Sequence, residues 1–291
     1  MNPSVSRELW KAMEPFHAMV YFTPEPQEEY AAIGLDGAAN PAHAYFPARA
    51  ACLGPVPWQV VQSTFFNFSA AVCRLGIEGA WDIASPEQVL DARYRGVERA
   101  ITRLCGPLLD DVTEALELAT EATTGCTVEG RPLYAGHASV AWPEPPALRL
   151  WHAVALLREF RGDGHIAALV GQGLTGLQAA VLHVTTRESW SRRALQATRG
   201  YSDEEWDGAV AALQARGWLD AEGAFTDAGR AARQEAEDAT DRLALPPWEV
   251  LGEERALRLR DLVQPLSTAI LDNGGMPLLS KARDRERAAA T

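Results

Sequence analysis

The stretch that most limits what this chain can fold into is Leu148 to Leu169, LRLWHAVALLREFRGDGHIAAL. It opens as a core helix and then places Arg158, Arg161, Asp163 and His165 within eight residues. At 3.6 residues per turn, Trp151, Arg158 and His165 share one stripe, with Arg161 beside it. An apolar stripe that turns cationic within two turns predicts the wall of a polar pocket. Gly162 and Gly164 flank Asp163. Two glycines in three residues cost a helix about 2 kcal/mol relative to alanine. Either the helix breaks here or something approaches its backbone closely.

The rest of the chain reads as helices with one exception. Ser6 to Phe22 has helical apolar spacing, divided or kinked by Pro15, with His17 near the kink. Glu25 to Ala32 starts a second helix, and Gly34 to Pro41 reads as a loop. Trp58 to Leu75 reads as one helix burying Val60, Val61, Phe65, Phe66, Phe68 and Val72, with Asn67 the lone amide in the aromatic run. Ser85-Pro86-Glu87 starts a helix that runs to about Leu104. Asp110 to Thr123 is amphipathic. Gly125 to Pro146, rich in Gly and Pro and containing His137, reads as a long loop. Beyond Gly173 come three short helices, Leu174 to His183, Ser189 to Thr198 and Ser202 to Arg216, the last opened by a capping box of Ser202 and Glu205. Two apolar segments, Gly217-Trp218-Leu219 and Ala224-Phe225-Thr226, flank a Gly-containing turn and predict a β-hairpin. Helices from Asp227 to Leu243 and from Gly252 to Leu271 follow, the second carrying Pro265. The last stretch either returns to the N-terminal part or forms a homodimer seam.

Helix, helix, helix, hairpin, helix is the order of a winged helix-turn-helix. Leu213-x-x-x-Gly217-Trp218-Leu219, then Phe225-Thr226-Asp227-Ala228-Gly229-Arg230, resembles the wing of MarR-type regulators over about residues 173 to 243. The whole chain is also similar to an actinobacterial helix-turn-helix family named for its fold rather than for a reaction. That similarity rests on YFPARAACLGPVP, FFNFSAA, LREFRGDGH and PPWEVLG. The expected fold is therefore mainly α: a helical portion over 1–172 with the candidate pocket, a winged helix-turn-helix with a small β-hairpin wing over 173–245, and a C-terminal helix and tail over 246–291.

The charge pattern argues against the function this resemblance implies. The third helix would enter the major groove, yet its first turns hold Asp203, Glu204, Glu205 and Asp207 against a single Arg216. The wing adds Asp220, Glu222 and Asp227. Phosphate contacts need cations, each adding about 0.9 to the salt slope. The chain as a whole carries a net charge of −12, so general attraction to phosphate is also missing. Arg187, Arg192, Arg193 and Arg199 are the nearby basic residues. DNA is disfavoured as a partner.

Cys52, Cys73, Cys105 and Cys126 form no CxxC and no zinc spacing, and read as buried thiols of a reduced, cytoplasmic protein. No charged segment followed by an apolar run opens the chain, which predicts no signal peptide. No window approaches 18 uninterrupted apolar residues, which predicts no membrane span. Walker and GxSxG motifs are missing. His17, His137 and His165 lack the paired spacing of metal ligands, so no metal is assigned and no cofactor is named.

The candidate site holds His165 and Asp163 as acid–base groups, and His17, Asn67, Arg158, Arg161 and Trp151 as ligand contacts. Arginines clamp anions, and histidine exchanges protons near neutral pH. Two other readings stay open beside this small-molecule-binding protein, sensor or enzyme. One is a ligand-responsive transcriptional regulator. The other is a structural or partner-binding protein in which the polar residues only brace two helices.

Overall fold

Prolines and hydroxyl caps divide the chain into helices. The computed structural model describes residues 1–186 and 191–277. The first half of the chain forms α1 (Ser4–Ala18), α2 (Pro24–Ala32), α3 (Pro41–Ala50), α4 (Trp58–Phe65), α5 (Ala70–Ile77), α6 (Ala80–Ile83), α7 (Pro86–Cys105) and α8 (Thr113–Thr123). Next come α9 (Pro132–Ala138), α10 (Pro146–Gly171), α11 (Gly176–Thr185), α12 (Arg192–Arg199) and α13 (Asp203–Ala215). The chain continues through α14 (Asp227–Leu243), α15 (Pro246–Leu251) and α16 (Glu253–Asp272). Capping boxes at Ser85 with Gln88, Thr175 with Gln178 and Ser202 with Glu205 satisfy the first amides of α7, α11 and α13.

Helix α10 is the axis of the fold. It is buried around most of its circumference, through Leu150, Trp151, Val154, Leu156, Leu157 and Phe160, and it packs against α1, α7, α8, α9 and α14. A helix buried on most of its sides belongs inside a protein, and its polar residues then need partners there. Its two glycines do not break it. A Cβ at Gly164 would lie 2.8 Å from Nη1 of Arg131 and 3.2 Å from Cβ of Leu243, so close approach is the reason for that glycine. The main core joins α1, α7, α8, α10, α15 and α16. A separate core, built on Leu182, Leu195, Trp206, Leu213, Leu219 and Ala236, holds α11 to α14 together. No single helix among the described residues is long and apolar enough to cross a membrane.

The mainly helical class holds, but the β-hairpin wing does not. The described residues contain no β-strand, and the segment between α13 and α14 is a turn closed by one antiparallel bridge, Leu219 to Phe225. The reason is local. The Asp220 carboxylate accepts the amides of Glu222 and Ala224 and tightens the turn. Thr226 already accepts from the amide of Gly229 as the N-cap of α14, so no residues are left for a second strand.

Other expectations shift too. Trp58 to Leu75 is two helices, because the chain reverses at Phe66, the one non-glycine described residue with positive φ (61°), and restarts at the Ser69 cap. The Phe66–Asn67 backbone lies against Gly176, where a Cβ would meet the Phe66 carbonyl oxygen at 1.9 Å. The loop expected over Gly125 to Pro146 contains α9. Helix α16 runs unbroken through Pro265, and α1 carries Pro15 inside it. The start expected at Ser189 for the second short helix, together with Arg187, lies outside the described residues; α12 is capped by Ser191.

Candidate functional site

Five helices deliver polar side chains to one buried place. From α10 come Trp151, His152, Arg158 and Glu159. From α1 come Glu14 and, past Pro15, His17. Tyr45 and Arg49 lie on α3, Arg93 and Tyr94 on α7, and His137 on α9. Glu159 is 1% exposed and sits at the centre. Its Oε2 is 3.0 Å from Nη1 of Arg158 and 3.5 Å from Nη2 of Arg49, and its Oε1 is 3.8 Å from Nε2 of His17. Arg158 also reaches Glu14 at 3.3 Å. Aromatic rings surround these groups: His17 stacks on Trp151 at 5.9 Å, and Arg93 lies over Tyr21 and Trp151.

Many of these groups are left without hydrogen-bond partners. Both ring nitrogens of His17, Nε2 of His137, Nε2 of His152, Oε1 of Glu159 and the Nε atoms of Arg49 and Arg93 are buried and unsatisfied. Buried polar side chains are normally paired.

The electrostatics fix the protonation states. Burial alone would push the Glu159 carboxyl up, but Arg158 and Arg49 outweigh it and hold the group well below the ordinary carboxylate range. Burial, reinforced by Arg158, pushes His17 far down. Burial likewise takes His137 down to about 3 and His152 to about 4. The centre is thus an ionised carboxylate among guanidiniums and neutral imidazoles. Neutral imidazole both donates and accepts, and guanidinium edges receive anions.

The residues singled out from sequence divide into groups. His17, Trp151 and Arg158 come together around Glu159, and the Trp151 indole donates to the His17 carbonyl oxygen at 3.4 Å. Arg161 faces the other way: it stacks on Trp10 at 4.2 Å and points at Glu237 and Asp241 of α14, at 3.7 and 3.9 Å. Nδ1 of His165 lies 2.9 Å from the Thr240 hydroxyl, also on α14. Asp163 accepts the amide of Tyr134 at 2.9 Å and so caps α9; burial raises its carboxyl to about 6. Asn67 lies in the break between α4 and α5, on other elements than those that build the Glu159 site. A crevice of about 10 Å³, lined by Ser6, Trp10, Glu14, Arg158, Arg161 and Trp248, has room for about one water. Among the described residues no three His, Cys, Asp or Glu side chains gather closely enough to hold a metal ion.

Glu159, Arg49, Arg93 and the site role of His137 escape the sequence reading. Arg93 did leave a signal. It falls between Val89 and Val97 at intervals of four, inside the buried stripe of α7, where a cation has no reason to be unless it has a task.

The outer surface of the α11–α13 unit is acidic. Asp203, Glu204, Glu205 and Asp207 are exposed. Arg192 is engaged by Asp203 at 2.9 Å and Asp207 at 2.7 Å. Arg216 stacks on Trp218 at 3.8 Å, and Arg199 turns inward onto Phe68 at 4.3 Å. No curated protein and no solved structure matches the chain. A family profile described as a helix-turn-helix family does match, over residues 6–277, and with nearly the whole chain covered the protein belongs to the family of that profile.

Proposed function

We propose that this chain is a small-molecule-binding protein on a helix-turn-helix scaffold, with the ligand received at the cluster around Glu159 and with α13 unfit to grip DNA. The observation that carries this reading is the concentration of unsatisfied buried polar atoms on His17, His137, Glu159, Arg49 and Arg93. A helix brace leaves its polar groups paired, whereas a binding site holds them for a guest. Asp163 and His165 have their own partners and stand outside the proposed site. The test is thermal unfolding of the wild-type chain against a chemically diverse fragment collection. Saturable midpoint rises that vanish in His17→Ala support the reading. A collection that moves nothing leaves the cluster as a brace.

A second reading, a ligand-responsive regulator, is favoured by α14, which starts at the turn after α13 and packs on α1 and α10. It requires a specific mobility shift with genomic DNA fragments at low salt that weakens on mutating Arg192 or Arg193. The acidic face of α13 leads us to expect no such band.

A further inference from the structure

Arg93 is 1% exposed, yet its partners are poor. Nη1 donates to the Ala48 carbonyl oxygen and Nη2 to the Tyr21 hydroxyl, both at 3.3 Å, longer than ordinary N–H···O bonds. Nε–H has no acceptor in hydrogen-bond geometry, although the buried Tyr30 hydroxyl lies beside the guanidinium. Among the described residues no carboxylate lies within 4.0 Å of Arg93. The neighbouring charges do not balance it. Arg158 engages Glu14 and Glu159, and Arg49 reaches the same Glu159 at 3.5 Å. Three guanidiniums, Arg49, Arg93 and Arg158, therefore face two carboxylates, Glu14 and Glu159; Asp163, which also feels Arg49, is matched by Arg131. The histidines are neutral, and burial pushes Tyr30 up to about 12, so it stays a neutral phenol. One positive charge remains uncompensated where burial makes that costly.

We propose that the ligand of this site is a small aromatic monocarboxylic acid, bound as its carboxylate to the Nε–H edge of Arg93. This rests on the reading of the Glu159 cluster as a ligand site. A single negative charge balances the excess; a dianion overshoots it, and a metal cation adds to it. A planar carboxylate matches two parallel N–H donors on one guanidinium edge. The ring finds flat partners in Tyr21, Tyr45 and Trp151. Tyr21 and Tyr45 are half-buried, so the entrance lies on their side, while Arg49, His17 and Glu159 are closed off behind. The second hydrogen-bonding need of the ligand falls to His17 and His137, whose free nitrogens accept or donate as the guest requires.

The experiment compares charged probes with neutral twins on the full chain: benzoate, phenylacetate and 4-hydroxybenzoate against their amides, by calorimetric titration at matched ionic strength. At least one carboxylate should bind saturably and at least about tenfold tighter than its amide, a gap of about 1.4 kcal/mol. Arg93→Gln should lose that gap, while Arg258→Gln, which breaks an exposed pair with Glu114, should keep it. If Arg93→Gln does not fold, the wild-type comparison decides alone. Equal binding of acids and amides overturns the inference, as does a carboxylate preference that survives in folded Arg93→Gln. If neither class binds, the inference fails. A neutral or cationic fragment that then binds, and is lost in His17→Ala, keeps the site without the anion.

Discussion

The imidazole of His165 donates to the hydroxyl of Thr240, and the direction of that bond is fixed. Nδ1 is 2.9 Å from Oγ1, and the single hydroxyl proton of Thr240 is already given to the Ala236 carbonyl oxygen at 2.7 Å. His165 must therefore carry its proton on Nδ1. Thr240→Val keeps the shape and removes the acceptor at a fully buried position. We expect a loss of about 1–3 kcal/mol in urea unfolding. An unchanged midpoint would mean that His165 does not fasten α10 to α14.

Breaking the centre of the site costs more. Glu159→Gln takes the carboxylate from Arg49 and leaves Arg158 with Glu14 alone. Removing one partner of a buried ion pair costs about 3–5 kcal/mol. Denaturant unfolding at neutral pH measures it, and a loss below about 0.5 kcal/mol would place Glu159 in solvent rather than in the core.

The histidines set the acid limb of stability. His137 and His152 are held down to about 3 and about 4, whereas the unfolded chain protonates them near 6.5. Between those values the unfolded state binds more protons, so stability falls as pH drops below about 6.5. Each histidine contributes up to about 1.4 kcal/mol per pH unit. Glu159, depressed in the folded state, adds a loss of the same sign at lower pH. Asp163, raised to about 6, acts in the opposite sense between there and its ordinary value. The net expectation is a urea midpoint lower at about pH 5 than at about pH 7.5, with a shallower slope in His137→Gln.

Asp163 is separable from the site by chemistry. Its carboxylate caps α9 through the Tyr134 amide, but burial opposes its charge. Asp163→Asn keeps an acceptor oxygen and removes the charge, so stability at neutral pH should hold or rise. Asp163→Ala removes the cap as well and should cost about 1 kcal/mol. If the amide variant is the less stable of the two, the capping account is wrong.

Two glycines in helices should respond with opposite signs to alanine. A Cβ at Gly229 would lie 2.0 Å from the Trp218 carbonyl oxygen, whereas one at Gly208, on the exposed side of α13, meets nothing within 4 Å. Helix propensity favours alanine by about 1 kcal/mol at both. Gly208→Ala should gain up to that amount, and Gly229→Ala should lose about 1–3 kcal/mol through overpacking. Thermal melts of the pair check both signs.

These residues also show what the sequence made legible. Thr226-x-x-Gly229 stood out as a motif, and its cause is now plain: the threonine caps α14 and the glycine clears Trp218. Spacing on α10 grouped Trp151 with Arg158, and both side chains face α1. It also grouped Arg161 and His165 with them, yet those two lie further along the helix and face α14. Helical periodicity tells which residues share a stripe but not which neighbour covers each end of it. Arg49 and His137 were illegible as site members, since α3 and α9 bring them to the cluster across long stretches of chain, and Arg93 showed only as a cation inside the buried stripe of α7. The wing failed for a different reason: apolar pairs around a turn satisfy a hairpin pattern, but a cap placed at Thr226 ends it after one bridge.

Mechanically, α14 is a strut pinned at both ends. One end is seated on the turn by Thr226 and Gly229; the other is bolted by Asp241 to Arg7 at 2.7 Å and by Thr240 to His165. Its 17 residues span about 26 Å. Leverage follows from that length: a tilt of about 5° at the pinned base swings the far end by about 2 Å. A small shift of α10 at His165 would thus arrive at the turn between α13 and α14 as a displacement of atomic size.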